Sequence, residues 1–193
     1  MSAPDPIAEF QRVYARAGEG APFDVTACTL ATAGADGRPT ARLVLLKQVD
    51  ARGFVFFTNY ASRKARQLAD NPQAALCFHW PWIEEQVRIE GRVERLPDAE
   101  SDAYFRSRGR GSQLGAWASR QSEPMPSRAT LLWRVARIEA RHLGGEVPRP
   151  PFWGGYLLTP DRIELWHGRP DRLHDRHLFL RTEDGWTDQR LFP

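Results

Sequence analysis

Residues 86–96 alternate one by one: Val87, Ile89 and Val93 fall on one side, and Gln86, Arg88, Glu90 and Arg92 fall on the other. A period of two with one apolar face is the signature of an antiparallel strand that packs on a core and leaves its second face in water. That pattern commits the fold to antiparallel sheet, and the neighbouring segments extend it. Ala27–Ala33 and Thr40–Val49 read as strands joined through an Asp36-Gly37 hairpin turn. Gly53–Thr58 and Ala74–Trp80 continue the series. Arg162–His167, Arg172–Arg181 and Trp186–Leu191 close it, the last pair joined at Asp184-Gly185.

Helices interrupt these strands. Asp5-Pro6 supplies a capping carboxylate and a first-turn proline. Ile7, Phe10, Val13, Tyr14 and Ala17 then share one face of an amphipathic helix that Gly18, Gly20 and Pro22 end. Ser62–Asp70 reads as a short helix stopped at Asn71-Pro72, and Asp98–Arg108 as another, broken by Gly109–Gly111. Ser127–His142 reads as a third, with Leu131, Leu132, Val135 and Ile138 facing inward, followed by a loop through Pro148–Pro151. The expected architecture is α+β: a small antiparallel barrel of Greek-key type with peripheral helices. It forms one domain over 1–193, with an N-terminal helix in 1–20, an inserted helical segment at 98–142 and C-terminal strands at 162–193.

A chain of 193 residues buries enough surface to need no disulfide or metal. Cys28 and Cys77 both sit in apolar runs and read as reduced core residues of a cytoplasmic protein. No apolar stretch reaches the length of a membrane span, and the N-terminus lacks a signal-peptide layout. The net charge of +3 comes from 27 basic and 24 acidic residues without a block of like charge, which describes a mixed solvated surface and not a nucleic-acid footprint. Only Lys47 and Lys64 among those basic residues are lysines.

Cations set into strand-like sequence carry the chemistry, because Arg and Lys are seldom buried without a partner. In Arg42–Lys47, Arg42, Val44 and Leu46 share one strand face, and Leu43, Leu45 and Lys47 the other. This describes either an apolar platform for a flat ring, framed by charge, or a core strand with solvated ends. Ser62-Arg63-Lys64 opens a helix, where free N–H groups and two cations form either a phosphate site or a plain cap. Tyr104 and Arg108 project from one helix face, with Ser112 in a glycine-relieved loop beyond. They form a second phosphate cradle, or else a core phenol and a C-terminal cap. In Arg172–Arg176, strand alternation puts Arg172, His174 and Arg176 on one face, where mutual repulsion calls for a nearby acceptor; an exposed edge strand is the alternative. His174 and His177 fall on opposite faces and do not form a metal site. Walker, dinucleotide-binding and serine-nucleophile motifs are absent from the sequence.

Taken in order, RLVLLK, GFVFFTNYASRKA, EEQVRIEG, ESDAYFRSR, SQLGAWASRQS, VPRPPFWGGY, IELWHG, RLHDR and the closing RLFP resemble the pyridoxamine 5'-phosphate oxidase family from about Asp24 to Pro193. The resemblance implies a split β-barrel homodimer with flavin mononucleotide (FMN) at the subunit interface. It assigns Arg42, Leu43, Val44, Leu45, Leu46, Lys47, Phe57, Thr58, Arg63 and Lys64 to the cofactor, completed by Gln86, Gln121, Ser122, Trp166 and Arg176, partly from the second subunit. It assigns Lys47, Tyr104, Arg108 and Ser112 to the substrate phosphate, and Arg172 and His174 to the substrate ring. The implied reaction oxidises pyridoxamine or pyridoxine 5'-phosphate at C4', with O2 reduced to H2O2. A related flavin oxidase of a phenazine-type ring and a non-catalytic FMN or pyridoxal 5'-phosphate binder are the alternatives. The sequence departs from the family pattern at Glu85 and Leu157, where arginines are usual, and it begins later than relatives with an Arg-containing N-terminal lid.

Overall fold

The computed structural model describes residues 4–193. Eight antiparallel strands form one sheet, and six of them close on themselves. In chain order these are β1 (Ala27–Ala33), β2 (Pro39–Asp50), β3 (Gly53–Asn59), β4 (Gln73–Trp80), β5 (Glu85–Arg95) and β6 (Trp153–His167). The spatial order β3-β2-β1-β4-β5-β6 becomes a barrel because β6 also pairs β3, from Phe54 opposite Leu158 to Asn59 opposite Trp153. β6 is long enough to serve two neighbours in turn. Its first half lies against β3, and its second half leaves the ring to pair β7 (Asp175–Thr182), which pairs β8 (Gly185–Leu191). The barrel splits where β6 changes partner, beside a bulge in which β6 inserts Asp161 opposite the Glu90/Gly91 step of β5. Gly91 is required there, since a Cβ would sit 2.1 Å from the Thr159 carbonyl oxygen.

Inward-facing side chains fill the barrel: Leu30, Phe54, Phe56, Leu76, Phe78, Val87, Ile89, Leu158 and Ile163 are fully buried. The helix α1 (Pro6–Gly18) covers one side of this core. Asp5 caps it by accepting from the Ile7 N–H at 3.0 Å, as the sequence predicts, and Phe10 inserts edge-on against Phe54 and Phe78. Four further helices follow: α2 (Arg63–Asp70), α3 (Asp98–Ser107), α4 (Arg110–Ala118) and α5 (Arg128–Arg141). The last three build a smaller core around Phe105, Leu114, Val147 and Trp153 at the start of β6. No helix among the described residues is long and apolar enough to cross a membrane.

Several expectations need correction. The segment after the Gly109–Gly111 break, expected to be a loop, is helix α4, and Ser112 lies in its first turn. β6 begins nine residues before the expected Arg162, running straight through Gly154-Gly155. On α5, Val135 and Ile138 pack inward, but Leu132 is 56% exposed and no residue of the helix is fully buried. Arg172 is not in a strand: Pro170–Arg172 forms a 3-10 turn, with Asp171 and Arg172 at φ +58° and +62°. Proline fixes the entry to that turn, so β7 begins only at Asp175 and the expected shared face of Arg172, His174 and Arg176 does not form. Both cysteines are free; Cys28 is buried, its thiol pushed up to about 12 by burial and then by Cys77, whereas Cys77 is only partly buried.

Candidate active site

A cavity of about 540 Å³ opens on the outer face of β2. Strand alternation dictates its wall. Leu46 points into the core, whereas Leu43 and Leu45 point outward at 72% and 41% exposure. Val44 and Lys47 also line it, with Phe57 and Thr58 from β3, Lys64 from α2, Tyr104 and Arg108 from α3 and its end, and Ser112 and Gln121 from beyond. Asn59, Gly109, Ser119 and Trp153 complete the wall and were not anticipated.

One pole of the site is cationic. The Lys64 ammonium is 7% exposed and donates only to neutral oxygens: Thr58 Oγ1 at 3.1 Å, Ser62 Oγ at 3.4 Å and Gln121 Oε1 at 3.4 Å. Burial, and then the charge of Arg42, hold it down at about 8. The N–H of Arg63, at the first position of α2, donates to Ser122 Oγ at 3.2 Å, since Ser62 makes no side-chain cap. Arg42 stands behind this group, donating to Leu30 O at 3.1 Å and Thr32 Oγ1 at 2.6 Å, and also to Thr40. Arg42, Leu46, Arg63 and Ser122 are not part of the cavity wall; Arg42 adds charge beside Lys64 and itself feels the charge of the exposed Arg63.

A second cationic group rests on aromatic rings. Tyr104 stacks on Phe57 with centroids 3.9 Å apart, and Arg108 lies 4.6 Å over Trp153. The Arg108 guanidinium does not cap α3: its Nη1 is buried without a hydrogen-bond partner, and burial lowers its affinity for a proton. Lys64 and Arg108, with no carboxylate partner among the described residues, thus line one cavity together with Lys47, and the same wall presents Leu43, Leu45 and Phe57. This arrangement suits a flat, doubly anionic content and fits a phosphorylated flavin beside a phosphorylated substrate.

Five sequence-predicted residues, Gln86, Trp166, Arg172, His174 and Arg176, lie away from this cavity in the single chain. Gln86, Trp166 and Arg176 form one cross-strand row on β5, β6 and β7. His174 packs 4.5 Å from Trp166 and its Nδ1 accepts from the Arg169 N–H at 3.1 Å. Arg176 Nε donates to Glu164 at 2.8 Å, and Arg88 lies 3.5 Å from the other oxygen of that carboxylate. Glu164, 2% exposed, thus pairs with only Arg176 of the three residues expected to share a face, and its second neighbour is Arg88 of β5. Of the two departures, Glu85 is buried and binds Arg16 of α1 and His167 Nδ1, the latter at 3.1 Å, while Leu157 is buried with Val55 and Leu96. Both positions therefore serve the fold.

Comparison with known proteins agrees with this geometry. The family described as pyridoxamine 5'-phosphate oxidase matches residues 22–142, and the pyridoxine 5'-phosphate oxidase C-terminal dimerisation region matches 153–193, which is β6–β8. A pyridoxine/pyridoxamine 5'-phosphate oxidase of Anaeromyxobacter dehalogenans is 61% identical over 100% of the chain and 97% of its own length. One from Myxococcus xanthus is 56% identical over 100% and 94%. Among solved structures, PhzG from Burkholderia lata, in complex with tetrahydrophenazine-1-carboxylic acid, superposes with a TM-score of 0.94 at 32% identity, covering 99% of this chain and 94% of its own. An FMN-binding protein of Nostoc punctiforme shares the fold, with a TM-score of 0.78 at 18% identity over the whole of both chains. With barrel, cationic cavity and both halves of the sequence in agreement, the chain belongs to the pyridoxamine 5'-phosphate oxidase family.

Proposed function

We propose that this chain is an FMN-dependent oxidase of pyridoxamine and pyridoxine 5'-phosphate, acting as a homodimer with the cofactor at the subunit interface. The observation that carries the reading is the pair of unneutralised cations, Lys64 and Arg108, in one cavity with an apolar strand face. In this reading Arg63, Lys64 and the amides opening α2 take the ribityl phosphate, with Arg42 reinforcing the field. Leu43–Leu45 and Phe57 support one face of the ring, and Gln121 and Ser122 close over the phosphate end. Gln86, Trp166 and Arg176 of a second copy complete the cofactor site.

FMN, when bound, supplies two-electron acceptance, and O2 carries those electrons away as H2O2. The chain's own residues contribute alignment. Lys47, Tyr104, Arg108 and Ser112 anchor the substrate phosphate far from the reacting carbon, and this binding energy fixes C4' against the acceptor. Arg172 and His174 of the second copy orient the pyridine ring. Among the described residues of the single chain no carboxylate or imidazole lines the cavity, and His174 of the second copy is assigned to orienting the ring, so charge and positioning take the place of a strong general base in this reading.

Anaerobic mixing of the flavin-loaded protein with pyridoxamine 5'-phosphate tests the proposal: flavin absorbance is expected to bleach and to return on admitting O2. A colourless protein that FMN cannot reconstitute refutes it, and a yellow protein that never bleaches leaves a non-catalytic binder. The PhzG likeness favours a second reading, oxidation of a reduced phenazine-type ring. Bleaching by such a ring but not by pyridoxamine 5'-phosphate selects it.

A further inference from the structure

We propose that Trp153 is a positioning residue for substrate phosphate: its indole face holds the Arg108 guanidinium in the cavity while leaving that cation's charge and donors free. The inference rests on the reading of Arg108 as the phosphate anchor and adds the group that makes it one.

Three other arginines of this chain show the alternative, a guanidinium held by carboxylates. Arg149 bonds Asp98 and Asp102, Arg176 bonds Glu164, and Arg52 bonds Asp50 and Glu100. A guanidinium held that way has donors already used and charge already balanced, which suits structure but not capture of an anion. Arg108 has no such partner among the described residues, and its buried Nη1 has none of any kind. Its fixed contacts are ring faces: Trp153 at 4.6 Å and Phe105 at 5.5 Å. An aromatic quadrupole attracts a cation without accepting its N–H groups in the ordinary way, so the planar fork stays available.

Trp153 is itself firmly placed. It is buried as the first residue of β6; its N–H donates to Pro150 O at 3.1 Å, and its carbonyl accepts from Arg149 Nη1 at 2.7 Å. The same indole lies nearly parallel to Phe57 and Tyr104, at 5.5 and 6.2 Å with interplanar angles of 12° and 7°. One ring thereby backs both the phenol and the guanidinium assigned to the phosphate. The glycines that follow allow the close fit, because a Cβ at Gly154 would stand 2.2 Å from Tyr60 Oη.

The test compares wild type with Trp153→Leu, Trp153→Met, Trp153→Phe, Arg108→Ala and the double variant Arg108→Ala/Trp153→Leu in steady-state oxidation of pyridoxamine 5'-phosphate. Trp153→Leu is expected to raise KM about tenfold, as for a lost cation–π contact, with kcat and flavin content within about twofold. Trp153→Phe, which keeps a ring face, is expected to stay within about threefold of wild type. The double variant is expected to have a KM within about twofold of Arg108→Ala alone, because the indole acts through that cation. An unchanged KM in Trp153→Leu, or single effects that multiply in the double variant, overturns the inference. If Trp153→Leu fails to fold, Trp153→Met keeps the bulk without the ring, and a KM equal to that of Trp153→Phe overturns it. If wild type does not oxidise the substrate, the proposed function fails separately. Equilibrium dialysis of pyridoxal 5'-phosphate against the same proteins then decides, with the same ratios expected in Kd and equal Kd values refuting the role.

Discussion

Replacing Lys64 with glutamine separates the cost of a buried ammonium to the fold from its contribution to phosphate binding. Lys64 is 7% exposed, donates only to Thr58, Ser62 and Gln121, and feels Arg42 as a like charge. Burial first, and Arg42 second, bring its pKa from 10.5 to about 8. A folded pKa below the unfolded one means that the folded chain holds fewer protons between those values. The unliganded protein therefore carries the full penalty at pH 7 and gains stability as pH rises from about 8 to 10.5. At full burial a shift of this size corresponds to ~3 kcal/mol. Solvent reaching the ammonium through the open cavity reduces that to about 1–2 kcal/mol. Unliganded Lys64→Gln is thus expected to be about 1–2 kcal/mol more stable than wild type at neutral pH, the gap closing in alkali. FMN binding is expected to move the other way: a lost charge-assisted hydrogen bond of about 1.5–3 kcal/mol weakens it roughly 10- to 100-fold. Wild-type affinity should also fall as pH rises past about 8, whereas the variant stays flat. Urea unfolding of the unliganded proteins at one concentration, with FMN titration followed by fluorescence, measures both. A variant less stable than wild type at neutral pH, or wild-type affinity unchanged well above pH 8, refutes the argument.

Three further predictions concern the barrel bulge, the Glu164 ion pairs and Arg172. Gly91→Ala drives a Cβ to 2.1 Å from the Thr159 carbonyl and is expected to cost roughly 3 kcal/mol or more in urea unfolding; a loss under about 1 kcal/mol would mean that the bulge relaxes freely. Glu164→Ala leaves Arg176 and Arg88 without their shared buried carboxylate. The expected loss is roughly 2–3 kcal/mol, below the fully buried range because both guanidiniums reach solvent, and a neutral result in thermal unfolding argues against that bridge. Arg172→Ala is expected to lower kcat at least about tenfold with little change in flavin content. Arg172→Gly, which tolerates φ +62°, should match it, and parallel loss of flavin and turnover contradicts a role toward substrate.

Elements whose pattern comes from their own covalent neighbours were readable from the sequence. Asp5 with the 3.6-residue apolar spacing gives α1, and strict alternation gives β2 and β5 to within a residue or two. What escaped depends on tertiary contact. The start of β6 at Trp153, nine residues before the expected Arg162, escaped because Gly154-Gly155 carries no strand pattern; its glycines answer to tertiary packing, where Cβ atoms would reach Tyr60 and Leu96 at 2.2 and 2.5 Å. α4 contains two glycines and buries only Leu114 and Ala118, too weak a period to stand out. On α5 the spacing correctly says which residues share a face, but no neighbour covers Leu132. Periodicity identifies a face and leaves open what lies against it.

The site divides along the same line. Arg42–Lys47 and Ser62–Lys64 are contiguous phrases, so strand parity and a helix start are legible locally, and Leu43, Val44, Leu45, Lys47 and Lys64 from them line one cavity. Trp153 and Glu164 act on residues 45 and 12 positions away, Arg108 and Arg176, and no local pattern links them. Arg172 is harder still, because among the described residues it takes part in no ion pair and it sits at a positive φ in an exposed turn. A strained, unpaired cation has little reason to persist on stability grounds. It becomes intelligible if its partner lies in another molecule. Leu173, beside it, is 68% exposed and Phe192 94% exposed, both within the dimerisation region, while Leu43 is left open on the cavity wall. Apolar side chains left uncovered on both surfaces are what a second copy would bury, and burying them would carry Arg172 and His174 toward the cavity that lacks them.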